Sequence, residues 1–351
     1  EIEHFLYRAE RMRHSCDSCI PPEDNPGMVL GVLLGEMAKQ GRDKLTFITS
    51  PAVSGLGAWL EQLIAESTGK EGKGIIPIDD EPLGDPDAYG SDRLFAYIRS
   101  SETPDTAQDA AVEMLQKAGH PVVRIEMTEL INLGEEFFRW EIATAVAGAV
   151  LGINAFDQPN VQESKDNTKA FLEEYKKTGS LPEADPFLES DGIRFYADEG
   201  NIAVLNGDGA TLGSVIAAHL GRVQEGDYVA LNAYLERNDA TYSALKDIRT
   251  RIRDSKKVAT TLGYGPRFLH STGQLHKGGP NSGVFLQITA DDSEDLPIPD
   301  EPFTFGVLKD AQALGDFQSL SRNGRRALRI HLSADIGAGL SKLREAIEEA
   351  L

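Results

Sequence analysis

The sequence predicts an α/β fold: a doubly wound, mostly parallel sheet flanked by helices, in a three-layer α/β/α sandwich. Three observations lead there. Short β-branched runs alternate with amphipathic helical runs along most of the 351 residues, the spacing of βαβ units and a parallel sheet. The apolar fraction of 40% is that of an ordinary globular protein, and the length suffices for one large or two medium domains. A helix, a short basic turn and a strand recur as LQKAGHPVVRI, IRDSKKVATTL and LSRNGRRALRI, a likeness that any αβ unit would share.

The elements follow in order. Residues 2–15 read as an amphipathic helix, and IPPEDNPG (20–27) as a loop. MVLGVLLGEMAKQG (28–41) is an apolar helix closed by a Gly. KLTFITS (44–50) is the first strand, and helix 54–67 presents Trp59, Leu60, Leu63 and Ile64 on one face. KGIIPI (73–78), RLFAYIR (93–99) and PVVRIEM (121–127) are further strands, with helix 106–118 before the last. The long apolar helix 134–151 runs into LGINAFDQPNVQESK (151–165), and a helix covers 166–175. From 176 to 227 the turn-rich text TGSLPEADPFLESDG and short elements indicate an insertion or linker. Strands 226–235, 258–265, 284–290 and 326–332 then alternate with helices 240–254, 305–322 and 336–350. The expected organisation is an N-terminal helical arm (1–27), an α/β domain (28–175), the insertion (176–227) and a second α/β portion (228–351).

Net charge is −21, which disfavours nucleic acid and anionic membranes as partners, though not a small phosphorylated ligand held in a local cationic pocket. No run approaches the ~18 apolar residues of a membrane span, and the charged first residues are unlike a secretory signal, so a cytoplasmic location is expected. Cys16 and Cys19 have neither a second pair nor a preceding strand. They are expected to be reduced thiols, with no metal or other cofactor.

Three stretches could carry chemistry. In residues 151–165 a buried helix stops at a Gly and gives way to Asn154, Asp157, Gln158, Gln162, Glu163 and Lys165. Pro159 suits the first turn of a new helix, and Asp157 can cap it. Gln158 and Lys165 lie two helical turns apart, placing an amide beside an ammonium on one face, suited to a hydroxylated or anionic ligand. A capped surface helix would show the same residues.

In QLIAESTGKEGKG (62–74), Gln62 and Glu66 share a helix face, and the helix must end near Thr68-Gly69. Glu66 then faces unsatisfied carbonyls and the negative end of the dipole, which disfavour a charged carboxylate and suit a general base, while Lys70 and Lys73 act in the opposite sense. A helix end followed by solvated lysines would look alike. The text lacks the first Gly of a phosphate loop, and its Ser-Thr precedes the Lys.

PRFLHSTGQLHKGGPNSG (266–283) follows a strand, where ligands bind in open α/β sheets. His270 can exchange protons near neutrality, and Ser271, Thr272 and Gln274 are candidate substrate-binding groups. A plain polar connection is the competing reading. No G-x-S-x-G elbow and no complete G-x-G-x-x-G occur, which argues against a serine hydrolase and a dinucleotide.

Together these stretches resemble the glucose-6-phosphate isomerase family. FDQPNVQESK resembles the family signature F-D-Q-x-G-V-E-x-x-K, with Asn160 at its Gly and Gln162 at its Glu. QLIAESTGKEGKGI resembles the segment of the catalytic Glu, and LHSTGQ that of the His. The His segment follows the Lys segment here rather than preceding it. That order is similar to the isomerase part of bifunctional transaldolase/glucose-6-phosphate isomerase proteins. The resemblance implies a sugar-isomerase (SIS) type of fold and glucose 6-phosphate/fructose 6-phosphate interconversion through a cis-enediol. It implies Glu66 as the proton shuttle, Lys165 and His270 as ring-opening groups, and Gln62 and Gln158 as holders of sugar hydroxyls. It implies a sugar phosphate and a second copy of the chain as partners. No S-K-[ST]-x-T-T or G-G-R-[YF]-S segment occurs. The expectation is therefore a C-terminal portion that lacks the first SIS and transaldolase domains and is nearly inactive alone. A non-catalytic sugar-phosphate-binding module of the same fold is the alternative.

Overall fold

A computed structural model describes residues 1–182, 184–205, 207 and 209–351. The chain forms two compact units: Glu1–Gln158 with Gly278–Pro280, and Pro159–Lys277 with Asn281–Leu351. The division falls at Gln158, inside the domain expected over 28–175.

The first unit runs α1 (Ile2–Ser15), α2 (Pro26–Lys39), β1 (Lys44–Thr49), α3 (Gly55–Thr68), β2 (Ile76–Ile78), β3 (Arg93–Ser100), α4 (Thr106–Lys117), β4 (Val122–Met127) and α5 (Leu133–Leu151). Its sheet is wholly parallel, in the order β2-β1-β3-β4. Alternation along β3 sends Leu94, Ala96 and Ile98 to a core shared with α2, α3 and α5, while Phe95 and Tyr97 meet Val112 and Leu115 of α4 on the other face. Helix α2 starts two residues before the expected 28, because Pro26 fits a first turn and the Asn25 side chain accepts the Met28 N–H at 3.0 Å. Its glycines let it lie hard against α5: a Cβ on Gly31 would stand 2.5 Å from the Ala143 carbonyl oxygen. The KGIIPI strand shortens to Ile76–Ile78, since Lys70–Lys73 close a tight turn with Glu71 and Gly72 both in the left-handed region.

The second unit runs α6 (Pro159–Thr178), β5 (Leu188–Ser190), β6 (Ile193–Tyr196), α7 (Glu199–Leu205), α8 (Leu212–Leu220), β7 (Tyr228–Tyr234), α9 (Asp239–Lys256), β8 (Ala259–Tyr264), α10 (Thr272–Gly278), β9 (Gly283–Ala290), α11 (Phe305–Arg322), β10 (Arg326–Leu332) and α12 (Ile336–Ala350). Its sheet has the order β5-β6-β10-β9-β7-β8, parallel except for the β5–β6 hairpin and its junction with β10. Numbered within the unit, β8-β7-β9-β10 repeats the 2-1-3-4 order of the first sheet. The basic turns of LQKAGHPVVRI and LSRNGRRALRI lead into β4 and β10, the last strand of each sheet in chain order. Within 176–227, expected as an insertion or linker, the described residues form β5, β6, α7 and α8. Phe195, Val215, Ile216 and Leu220 sit in the unit's main core. The helix expected over 166–175 is the middle of α6. Among the described residues no helix is long and apolar enough to cross a membrane.

Candidate functional site

In the first unit, Leu56, Leu60 and Ile64 bury one side of α3, which leaves Gln62 exposed and Glu66 half-buried on the other. The helix ends at Thr68, as its Gly69 predicts. The Thr68 hydroxyl donates to the Ile64 carbonyl at 2.8 Å and accepts the Ile75 N–H at 3.0 Å, tying the helix end to the approach of β2. Glu66 therefore sits in the last turn of α3.

Of the two lysines that the competing reading leaves in solvent, Lys73 is exposed and Lys70 is not. Lys70 is 1% exposed. Its ammonium donates to the Asn154 carbonyl at 2.8 Å, to the Asp157 carboxylate at 2.9 Å, and to the Asp157 carbonyl. Lys73 donates to the carbonyls of Leu151 and Gly152 at 2.9 and 3.4 Å. Helix α5 ends at Gly152 in the left-handed region, and its last carbonyls have no helical partner. Two ammonium groups thus meet the negative end of that helix and the loop leaving it. The Lys70 hydrogen bond holds the Asp157 carboxyl below its ordinary range. Asp157 also accepts from the Asn154 amide at 3.1 Å. Its carboxylate is turned to Lys70 and Asn154, not to the cap of α6 as the sequence leads one to expect.

That cap comes from Gln274. Its side-chain oxygen accepts the Asn160 N–H at 2.9 Å, and its amide donates to the Asn160 side chain at 2.9 Å. Gln274 is fully buried, and so are Ser271 and Thr272, because 267–278 is not an open loop. It is a 3-10 turn (Arg267–His270) followed by α10. The Ser271 hydroxyl donates to the Phe268 carbonyl at 3.3 Å. Lys277 pairs with Asp316 of α11 at 2.7 Å with both side chains almost wholly buried, which anchors the end of α10. His276 lies among the rings of Tyr228, Phe268 and Phe285, and burial keeps its imidazole neutral. From Ser271 to Lys277 the polar text of this stretch is therefore buried, while His270 stays exposed and the ring nitrogens of His276 have no hydrogen-bond partner among the described residues.

The second unit brings two candidates together. Lys165 on α6 and His270 on the 3-10 turn both line one cavity of about 360 Å³. Its wall includes Val161, Ser164, Lys169 and Leu172 of α6, with Phe303 and Gln312. Gln62, Glu66 and Gln158 belong to the first unit. Gln158 stands one residue ahead of α6, so the two-turn spacing from Lys165 does not run within the helix. Sequence reasoning missed Lys169 and Ser164. The signal was present, for Lys169 is one turn beyond Lys165 on the same face.

No protein-family model matches the chain. Among curated proteins it is 26% identical over 209 residues to the glucose-6-phosphate isomerase of Parabacteroides distasonis, covering 49% of this chain and 46% of that protein. It is 31% identical over 170 residues to the glucose-6-phosphate isomerase of Rubrobacter xylanophilus, covering 38% and 39%. A third, from Leptospira biflexa, is 25% identical over 208 residues, covering 49% and 46%. The chain spans under half the length of each of these relatives. Among solved structures, a glucose-6-phosphate isomerase from Chlamydia trachomatis aligns with 99% of this chain and 72% of its own at 13% identity and a TM-score of 0.30. The C-terminal domain of glucosamine-fructose-6-phosphate aminotransferase from Francisella tularensis aligns with 99% and 93% at 10% identity and a TM-score of 0.29. Superpositions this loose carry no conclusion.

Proposed function

We propose that this chain is part of an aldose–ketose isomerase that interconverts glucose 6-phosphate and fructose 6-phosphate without a metal or other cofactor. The observation that carries the reading is the meeting of Lys165 and His270, from motifs far apart in sequence, at one cavity. The similarity to curated glucose-6-phosphate isomerases and the match of FDQPNVQESK and QLIAESTGKEGKGI to family segments support it.

In this reading His270 and Lys165 move a proton to the ring oxygen of the bound sugar as the ring opens. Glu66 then takes the C2 proton of the open-chain aldose as O1 gains a proton, and the resulting cis-enediol is reprotonated at C1 by the same carboxyl as O2 gives up its proton to leave the ketose carbonyl. Gln62 and Gln158 hold sugar hydroxyls. Ser271, Thr272 and Gln274 act from behind by shaping the turn that carries His270 and the start of α6. The order of the motifs favours the arrangement of the bifunctional transaldolase/isomerase proteins. The phosphate-binding segments of the family are not recognisable in this chain, so the 351 residues alone are inactive.

The test is isomerase turnover of the full-length protein beside that of the purified 351-residue chain. Turnover by the former and none by the latter is expected. Measurable turnover by the purified chain contradicts the division of labour, and none by the full-length protein contradicts the function.

A further inference from the structure

The cavity on α6 sets two lysines beside an apolar stretch of wall. Lys165 and Lys169 sit one helical turn apart with like charges side by side, an arrangement that is unfavourable until an anion joins them. The two carboxylates on the wall, Glu173 and Glu301, both engage Lys176, at 3.8 and 3.4 Å. Lys176 also lies over the Phe303 ring, 5.5 Å from its centre. Among the described residues Lys165 and Lys169 have no carboxylate partner. Ser164, also on the wall, is 5% exposed, and its hydroxyl has no partner among the described residues. The apolar part of the wall is Val161, Leu172, Leu269 and Phe303, and Thr168, His270 and Gln312 are its other polar members. At about 360 Å³ the cavity is in the range of small-molecule sites.

We propose that this cavity binds an organic anion with a compact apolar body. Lys165, Lys169 and the Ser164 hydroxyl hold its phosphate or carboxylate, and Leu172, Leu269 and Phe303 cover its apolar part. Such a ligand occupies Lys165 and lies against His270, so its binding competes with the reaction. This regulatory consequence rests on the isomerase reading; the binding does not.

Calorimetric titration of the chain with phenyl phosphate, inorganic phosphate and phenol tests the binding. Phenyl phosphate is expected to bind about tenfold more tightly than inorganic phosphate, the gain from burying roughly 60 Å² of ring at about 25 cal/mol per Å². Lys169→Met weakens phenyl phosphate about fivefold and leaves phenol unchanged. Leu172→Asn brings phenyl phosphate down to the level of inorganic phosphate. Equal affinity for the two phosphates, or affinity indifferent to both substitutions, overturns the proposal. In the full-length protein, phenyl phosphate is expected to inhibit competitively with the sugar phosphate. Lys169→Met raises the concentration of phenyl phosphate needed for that inhibition about fivefold, in step with its loss of affinity. Binding without competition overturns the regulatory role, whereas a protein that binds phenyl phosphate but never turns over overturns the isomerase reading and leaves the cavity's ligand standing.

Discussion

Lys70 and Asp157 form an ion pair of 2.9 Å that closes a loop of the first unit. The lysine is buried and the carboxylate half-exposed, so the pair is asymmetric. Lys70 depends on its partners for solvation, while Asp157 has water as an alternative. The pair joins the end of the helix bearing Glu66 to the segment bearing Gln158.

Replacing Lys70 tests that join. Lys70→Met removes three hydrogen bonds from a cation and is expected to cost on the order of 2 kcal/mol of unfolding free energy. Hydrogen exchange should rise at the amides of 152–158, with the sheet still protected. Lys73→Met exposes only the end of α5 and should cost less, about 1 kcal/mol. Equal exchange in wild type and Lys70→Met would remove the loop-closing role.

The Lys277–Asp316 pair is more demanding, because neither partner reaches water. Lys277→Met strands a buried carboxylate and is expected to destabilise the chain by about 3–5 kcal/mol. The double variant Lys277→Met/Asp316→Leu should recover much of that loss, read by denaturant melts of all three proteins. A double variant as weak as the single one would show that the pair is not the source of the cost.

Gln274 is the cap of α6. Gln274→Ala leaves the half-buried Asn160 N–H and side chain without their partner, at an expected cost of about 1–2 kcal/mol. Fluorescence or circular dichroism melts measure it. Gln274→Glu retains an acceptor for the N–H but loses the donor, and should fall between.

Glu136 on α5 gives a pH dependence. Burial lifts its carboxyl from 4.5 to about 7, against the pull of Arg139 at 3.3 Å. The folded state therefore keeps this proton when the unfolded state has released it. Stability contributed by the group is full below pH 4.5 and falls as pH rises to about 7, then stays level. The span corresponds to ~3 kcal/mol as an upper figure. Glu136→Gln should flatten the profile in that window and raise stability at pH 8. An unchanged profile would mean that Glu136 is not its source.

Much of this architecture is legible in the residues. The strands of both sheets carry apolar, β-branched text, and the end of α5 is announced by Gly152. Burial through pairing is not legible. Lys70 reads as a surface lysine because its partners, Asn154 and Asp157, are far along the chain. HSTGQLHKGG reads as a loop because Asn160 and Asp316, the partners of Gln274 and Lys277, are revealed by no local pattern. β5 and β6 are three and four residues long, too short for a period to stand out from the turns around them. Of the candidate site, Glu66 and Lys165 were visible as residue types in suitable places. The cavity that unites Lys165 with His270 depends on tertiary packing.

In the proposed isomerisation Glu66 is the base. The most direct test of that role is the turnover of glucose 6-phosphate to fructose 6-phosphate by the full-length protein and its Glu66→Gln variant, at matched stability. A loss in kcat on the order of 10²–10⁴-fold with little change in KM is predicted. Near-normal turnover by Glu66→Gln would contradict it.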